Sequence, residues 1–148
     1  MLSFTILTED DANSDRVSEK ALIAMEAAIE MNQMWLKAHP GDVCFLTCGS
    51  VKYNFAKETV LSDIIPIKTV PILKKTGIGL CISFVAFDVA IRRMMGQDAW
   101  PEAQPTPARD IFHIVTVVGS PEGRTVIDPT HEIITLGGYR SAPSICKC

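Results

Sequence analysis

The first clear pattern along the chain is a repeat of apolar residues every three or four positions, which predicts an amphipathic helix over about 14–38. Ser14 or Asn13 can cap its first turn, and the dipeptide Pro40-Gly41 ends it. We expect this helix to cover one side of the core, with its methionines in the buried stripe. The predicted buried face comprises Val17, Ala21, Met25, Ala28, Asn32 and Trp35, with Leu22, Ile29 and Leu36 beside it, and the opposite face comprises Glu19, Glu26, Glu30, Gln33 and Lys37.

A second helix is predicted over about Leu80–Met95, where the chain is apolar on almost every side. A helix without a polar face must be buried by its neighbours on most sides. Arg92 and Arg93 suit the negative end of its dipole, and Gly96 provides a C-terminal stop. Asp88 lies one helical turn before Arg92, so these two side chains can form an ion pair.

Strands are predicted by alternating apolar and polar residues over 111–118 and 124–128, which form a hairpin, and over a short N-terminal edge strand at 2–7. The segment 42–76 is predicted as loops with short helical or extended pieces. The proline-rich segment 97–110 is predicted as a loop. This mixture of helices and antiparallel strands predicts an α+β fold.

Composition supports one globular domain, because 47% of the 148 residues are hydrophobic and glycine and proline are ordinary in number. The formal net charge of −3 gives no large attraction for phosphate backbones or anionic membranes, so we expect neither nucleic acid nor a membrane as partner. No run approaches the roughly 20 apolar residues that cross a bilayer. The opening segment does not resemble a signal peptide, so we expect a soluble, cytoplasmic protein, and secretion without a cleaved signal is compatible with the sequence.

Five cysteines are an odd number, so at least one thiol is expected to be free. Cys44, Cys48, Cys146 and Cys148 would form a zinc site only if the C-terminal tail returned to the middle of the chain. Neither pair has the usual two-residue spacer, so we expect no metal and no cofactor. A disulfide within the tail or incidental thiols are preferred, with Cys44 packed in an apolar run.

Cys81, His113 and Asp128 are the residues most suited to catalysis. Gly77 and Gly79 are expected to turn the backbone into the second helix, which places Cys81 in its first turn, where unpaired N–H groups favour a thiolate. His113 on the first hairpin strand can act as a general base and acid.

A four-residue turn in the hairpin, Gly119 to Glu122, pairs Val118 with Gly123 and places His113 directly opposite Asp128. The carboxylate would then orient the imidazole ring. A five-residue turn would shift the register by one and send the two side chains to opposite faces of the sheet. The contact between the two side chains therefore depends on the length of the turn.

The order Cys81, His113, Asp128, with a glycine-containing turn before the cysteine and an ending of Asp-Pro-Thr, resembles the transglutaminase-like branch of the papain-like thiol enzymes. The resemblance covers about 76–130. It implies a buried helix that carries the cysteine, packed on an antiparallel sheet that carries the histidine and aspartate. It also implies a single domain over 1–148, with the cover helix, a catalytic core over about 76–131 and a surface tail over about 132–148.

The chemistry that the resemblance implies is attack of Cys81 on an amide carbonyl of a peptide or protein side chain, through a thioester intermediate. Backbone at Gly79 and Cys81 would support the oxyanion. Many family members have a Gln or Trp upstream of the nucleophile, and 71–80 contains neither, so Asn54, Gln33 or Trp35 would have to supply the second donor. Aromatic residues that often adjoin the family's His and Asp are replaced here by Ile114 and Ile127.

The same residues are also compatible with a deamidase or transglutaminase-type enzyme that modifies protein glutamines, such as a secreted effector. A catalytically silent interaction module is a further reading, in which Cys81 is a buried hydrophobe, His113 a core group and Asp128 a turn cap. His131 is a reserve base, and His39 is expected on the surface at a helix end. The oligomeric state is not fixed by the sequence.

Overall fold

The computed structural model describes residues 2–5, 16–49, 51–54, 64–105 and 112–146. Its strands are β1 (Leu2–Thr5), β2 (Lys52–Tyr53), β3 (Ile64–Ile67), β4 (Ile78–Gly79), β5 (Asp98–Pro105), β6 (Phe112–Ser120) and β7 (Gly123–Ile127). Its α-helices are α1 (Arg16–Ala38), α2 (Phe45–Cys48), α3 (Val70–Thr76), α4 (Cys81–Met94) and α5 (Pro129–Leu136), with short 3-10 turns at Pro40–Asp42 and Ser144–Cys146. The fold is α+β, with β5, β6 and β7 in one antiparallel sheet.

Helix α4 lies at the centre of the molecule, as its apolar composition predicts. Every side chain from Ile82 to Arg92 is buried. The helix packs against β5 and β6 on one side and against α1 on another. The surrounding elements remove from water the apolar surface that the helix cannot cover alone.

Helix α1 buries the predicted face, including Ala21, Met25, Ala28, Ile29 and Leu36, and exposes the glutamates opposite. An ion pair between the Arg93 guanidinium and the Glu26 carboxylate, 2.8 Å long, joins α4 to α1. The expectation for the methionines is wrong in part, because Met31 and Met34 are exposed. The candidate caps Asn13 and Ser14 lie outside the described residues.

The first half of the chain otherwise consists of short elements, as predicted. Strand β1 pairs with β3 in antiparallel orientation, and the rest of the predicted N-terminal strand lies outside the described residues. Strand β2 pairs with β4 in parallel, with Tyr53 beside Gly79. Strand β4 lies directly before α4 in the chain, so its pairing with β2 positions the start of that helix.

The loop prediction for 97–110 is wrong over its first part, because β5 is a strand that pairs with β6 along eight residues. Pro101 and Pro105 are compatible with it because β5 is an edge strand, on which one side makes no ladder hydrogen bonds. Ala99 and Pro101 face the core. The prolines therefore mark an edge strand, and their presence did not exclude a strand.

The four-residue turn predicted for the hairpin is also wrong. Ser120 pairs with Gly123 and Val118 pairs with Thr125, so the loop has two residues, Pro121 and Glu122. The positive φ of Gly123, 129°, suits glycine at the point where β7 begins. The register is displaced by two residues from the prediction, which leaves every side chain on its predicted face of the sheet.

The predicted surface tail contains a helix and buried residues. Asp128 caps α5, Pro129 occupies its first position, and Gly137 ends it in the left-handed conformation with φ of 73°. These capping residues are visible in the sequence, but the prediction placed Asp128 in a turn and the following residues in a surface tail. Tyr139 beyond the helix is fully buried, so this segment is part of the core.

A buried polar network holds the segment after α5 against α4. The Arg92 guanidinium donates hydrogen bonds to the Asp88 carboxylate (3.1 Å), the Tyr139 hydroxyl (2.9 Å) and the Ser141 carbonyl (2.6 Å). The Tyr139 hydroxyl donates in turn to Asp88 (2.8 Å). The predicted ion pair between Asp88 and Arg92 is thus present, and a tyrosine from the C-terminal segment completes it.

A disulfide between Cys44 and Cys146 links the C-terminal segment to the middle of the chain. Cys48 is disulfide-bonded as well, and Cys148 lies outside the described residues. From the sequence, Cys44 is expected to pack in an apolar run without a disulfide, and any disulfide is expected to lie within the tail. Both expectations are wrong. The two halves are brought together by α5 and by Tyr139, which sequence spacing does not reveal. Within the described ranges no helix is long and apolar enough to cross a bilayer.

Candidate active site

Cys81 is the first residue of α4, so its backbone N–H is among those that have no partner inside the helix. Its side chain is half-buried, and it is the one free cysteine among those that the structure describes. Gly77 takes a left-handed conformation, with φ of 70°, as the sharp turn requires. Gly79 is needed for a different reason from the expected one, because a Cβ there would lie 2.8 Å from Leu73 and 3.0 Å from Phe84.

His113 and Asp128 are in direct contact. The His113 Nε2 atom lies 2.7 Å from Asp128 Oδ2, and both side chains are mostly buried. In the observed register Asp128 follows the end of β7 and lies diagonally across from His113, not directly opposite. The contact forms because a shift of two residues keeps both side chains on one face, within reach of diagonal neighbours.

The Cys81 side chain lies close enough to His113 to influence the protonation of the imidazole ring. The hydrogen bonds to Asp128 and then to Cys81 raise the pKa of His113 to about 10, although partial burial opposes the shift. At neutral pH the imidazole ring therefore holds two protons and can donate from both nitrogens. Asp128 and Cys81 therefore both influence the protonation of His113.

Asp128 uses its two carboxylate oxygens for two purposes. Oδ2 contacts His113, and Oδ1 accepts a 3.0 Å hydrogen bond from the His131 backbone N–H, which caps α5. Burial alone would raise the pKa of Asp128, but the hydrogen bonds from His113 and from His131 hold it below its ordinary value. The turn-cap interpretation and the orienting interpretation of this residue are therefore both compatible with its geometry.

Tyr53 is a further residue of the site, which the sequence interpretation did not include. Its strand, β2, pairs with β4 immediately before Cys81. Burial first, and then the electrostatic influence of Cys81, raise the pKa of Tyr53, so its hydroxyl keeps its proton at neutral pH. The pairing of β2 with β4 joins segments that are distant in sequence, so no local pattern predicts that Tyr53 lies near Cys81. The only signal in the sequence was Asn54, the residue after Tyr53, which was named as a candidate donor.

The other candidate donors are less well placed. The Trp35 indole N–H donates to Asp42 Oδ2 at 2.9 Å, and its ring stacks on His39, so it is engaged away from Cys81. Gln33 makes no hydrogen bond or ion pair within the described part of the chain. Asn54 follows β2, is half-buried and has polar interactions of its own.

The two remaining histidines lie outside the triad. His131 is exposed on α5, and its backbone, not its ring, contacts Asp128. His39 is exposed at the end of α1, and its Nδ1 atom lies 3.0 Å from the Trp35 carbonyl, as expected for a residue at a helix end.

The described residues gather no group of three or more His, Cys, Asp and Glu side chains that could hold a metal ion. The sulfurs of Cys44 and Cys146 are bonded to each other, which removes them from the zinc site considered from the sequence. What the site offers chemically is an imidazole in contact with a carboxylate, with a thiol nearby.

Comparisons of the chain with protein-family models, with curated proteins and with solved structures find no match.

Proposed function

We propose that the protein is a thiol-dependent hydrolase or acyl transferase that acts on amide bonds of peptides or protein side chains, with a papain-like arrangement of Cys81, His113 and Asp128. The observation that carries this proposal is that the His113 ring contacts Asp128 at 2.7 Å and lies near enough to Cys81 for that residue to raise its pKa. A cysteine, a base and a group that orients the base are the parts that nucleophilic catalysis by a thiol requires.

In the proposed reaction the Cys81 sulfur, as thiolate, attacks the amide carbonyl carbon and forms a tetrahedral oxyanion. The His113 imidazolium then gives a proton to the leaving amine as the C–N bond breaks, which leaves a thioester. His113, now neutral, takes a proton from water or from a second amine, and attack of that group releases the acyl product and the thiol. Asp128 orients the ring and stabilises its charged form throughout.

Two donors would stabilise the oxyanion. The Cys81 backbone N–H at the start of α4 supplies one, as helix N-termini favour negative charge. We assign the second to the Tyr53 hydroxyl, in preference to Asn54, because Tyr53 pairs beside the entry to α4 and its charge environment includes Cys81.

The first experiment is alkylation by iodoacetamide at neutral pH, followed by mass spectrometry, on wild type, His113→Ala and His131→Ala. We expect rapid modification of Cys81 in wild type and in His131→Ala, and a large loss of rate in His113→Ala. His131→Ala is the matched control, since it removes an imidazole that does not touch the thiol. Equal rates in all three proteins would favour the inactive interaction module.

The second experiment separates the possible reactions. Peptide cleavage, release of ammonia from protein glutamine and incorporation of a fluorescent amine are measured in parallel, with Cys81→Ala as the control. Ammonia release without chain cleavage would assign a glutamine deamidase. Amine incorporation would assign a transglutaminase. Activity that persists in Cys81→Ala would contradict the proposal.

A further inference from the structure

Two surface clefts, of about 480 Å³ and 540 Å³, are both bordered by Gly137 at the end of α5 and together form a groove. The first cleft lies between β2 and α5 and begins at Tyr53. The second continues past Gly137 to Arg140 and to the disulfide-bonded Cys146. Tyr53 borders the groove and also pairs with Gly79, two residues before Cys81.

The charges along this groove have one sign. Lys52 borders the first cleft and Arg140 the second, and among the described residues that border either cleft none is acidic. Both cationic side chains are exposed, and neither forms an ion pair with a described residue. The adjacent Glu132 carboxylate is occupied by the backbone N–H groups of Arg140 and Ser141, each at 2.7 Å. In a chain with a net charge of −3, a cationic groove is a local exception.

The floor of the first cleft is apolar. Ile133 and Ile134 of α5 border it, and Ile134 is 56% exposed. Large exposed apolar side chains beside a polar rim are typical of surfaces that bind a partner. The groove joins two adjacent surface clefts, which suits an extended chain better than a compact small molecule.

We propose that this groove binds an extended acidic polypeptide segment of the substrate, with apolar side chains against Ile133 and Ile134 and carboxylates near Lys52 and Arg140. The inference rests on the proposed function and names its substrate class. Exposed charge pairs add specificity through complementarity, and the apolar contacts add affinity.

Binding is tested on the full-length Cys81→Ala variant, so that it does not depend on catalysis. The probes are a fluorescein-labelled peptide of alternating leucine and glutamate and a matched peptide with lysine in place of glutamate, followed by fluorescence anisotropy. We expect the acidic peptide to bind roughly tenfold more tightly, since two complementary charges together supply about that factor. High salt should reduce the difference.

Charge-reversal variants locate the site. Lys52→Glu and Arg140→Glu in the Cys81→Ala background are expected to weaken binding of the acidic peptide, whereas Lys52→Arg should keep it. Lys37→Glu is the matched control and should have no effect. It changes the net charge by the same amount as Lys52→Glu, at an exposed position on α1. Equal binding of both peptides, or no binding of either, would overturn the inference. So would a dimer in sedimentation that Arg140→Glu dissociates, because the occupant would then be a second copy of the chain.

Failure of the inference and failure of the proposed function give different results. If wild type shows Cys81-dependent activity with no preference for acidic substrates, the function stands and the groove assignment is wrong. If the acidic peptide binds at the groove but no reaction depends on Cys81, the enzyme proposal is wrong. In an active protein, Lys52→Glu should raise KM for acidic substrates and leave kcat unchanged.

Discussion

His113 is the residue whose protonation state controls the candidate site. Its hydrogen bonds to Asp128 and Cys81 raise its pKa from 6.5 to about 10. The protonated ring is therefore stabilised more in the folded protein than in the unfolded chain. This contribution to stability is complete below pH 6.5 and is lost as the pH rises towards 10.

We predict that the free energy of unfolding of wild type falls, relative to His113→Gln, as the pH rises between these two values. Asp128→Asn should reduce the difference, because it replaces the ionised acceptor of the hydrogen bond that is the largest cause of the shift. Urea unfolding at a series of pH values, together with an NMR titration of the His113 ring, provides the measurement. A ring that titrates near its ordinary pKa would contradict this prediction.

A second prediction concerns the hydroxyl of Tyr53. If its hydroxyl is the second oxyanion donor, Tyr53→Phe should lower kcat by about 100-fold, which is typical for the loss of one such donor. Asn54→Ala, the control at the neighbouring position, should have a much smaller effect. A larger loss in Asn54→Ala than in Tyr53→Phe would return the role to Asn54.

At the scale of elements, Asp128 links the triad to helix α5, because one carboxylate oxygen serves each. Asparagine can cap a helix as well as aspartate but carries no charge. We therefore predict that Asp128→Asn keeps most of the stability of the protein and lowers activity, whereas Asp128→Ala lowers activity and also costs about 1 kcal/mol of stability.

These two substitutions are compared by urea denaturation at neutral pH and by the rate of Cys81 alkylation. Equal stability of the two variants would mean that the cap contributes little to α5. Unchanged alkylation in both would mean that Asp128 serves only as a cap, as the alternative interpretation from the sequence holds.

The hairpin illustrates how much of the site could be predicted from sequence. The alternation in β6 and β7 fixes which side chains share a face, so the contact of His113 with Asp128 could be anticipated. The loop length was wrong by two residues, and an even error preserves the face. The non-local pairing of β2 with β4, which puts Tyr53 beside Gly79, two residues before Cys81, has no comparable local signal.

Helices α1 and α4 were predicted well because long periodic or fully apolar segments leave few alternatives. The loop prediction over strand β5 is wrong because its prolines also fit an edge strand, which tolerates them. Helix α5 was missed although Asp128, Pro129 and Gly137 form a complete set of capping signals. Local signals thus failed mainly where a residue permits two structures and tertiary contacts decide between them.

At the scale of the whole molecule, two anchors hold the segment after α5. One is the Asp88, Arg92 and Tyr139 network, and the other is the disulfide between Cys44 and Cys146. Disulfides persist in oxidising compartments, which counts against the cytoplasmic location expected from the sequence. Because the groove ends at this segment, the anchors also fix one wall of the proposed substrate site.

The buried network supplies a stability prediction. Burial raises the pKa of Asp88 despite the nearby Arg92, so the carboxylate depends on its partners. Arg92→Met should cost about 3–5 kcal/mol, since it leaves a buried carboxylate without its cation. Tyr139→Phe, which removes only the hydroxyl, should cost about 1–3 kcal/mol. Urea denaturation measures both, and a loss in Tyr139→Phe as large as that in Arg92→Met would contradict the assignment of Arg92 as the main partner.

The disulfide closes a loop across 102 residues of sequence that contains the whole candidate triad. A cross-link over a loop of about 100 residues stabilises a folded chain by about 4.7 kcal/mol in the chain-entropy model. Because Cys48 is also disulfide-bonded, we predict that the Cys44→Ser and Cys146→Ser double variant loses less than this amount in urea, measured without reductant. Adding reductant to wild type, which opens every disulfide, should lower its stability by about this order. A loss below about 1 kcal/mol in reduced wild type would mean that loop closure is not what stabilises the fold.

Coupling between the two anchors can be measured by combining the double serine variant with Tyr139→Phe. If the segment after α5 is held as one unit, release of one anchor should weaken the other, and the combined loss of stability should differ from the sum of the separate losses by about 0.5 kcal/mol or more. Additive losses would show that each anchor acts alone. In the additive case, reduction of the disulfide should leave binding of the acidic peptide unchanged, whereas in the coupled case the wall of the groove that carries Arg140 should loosen and binding should weaken.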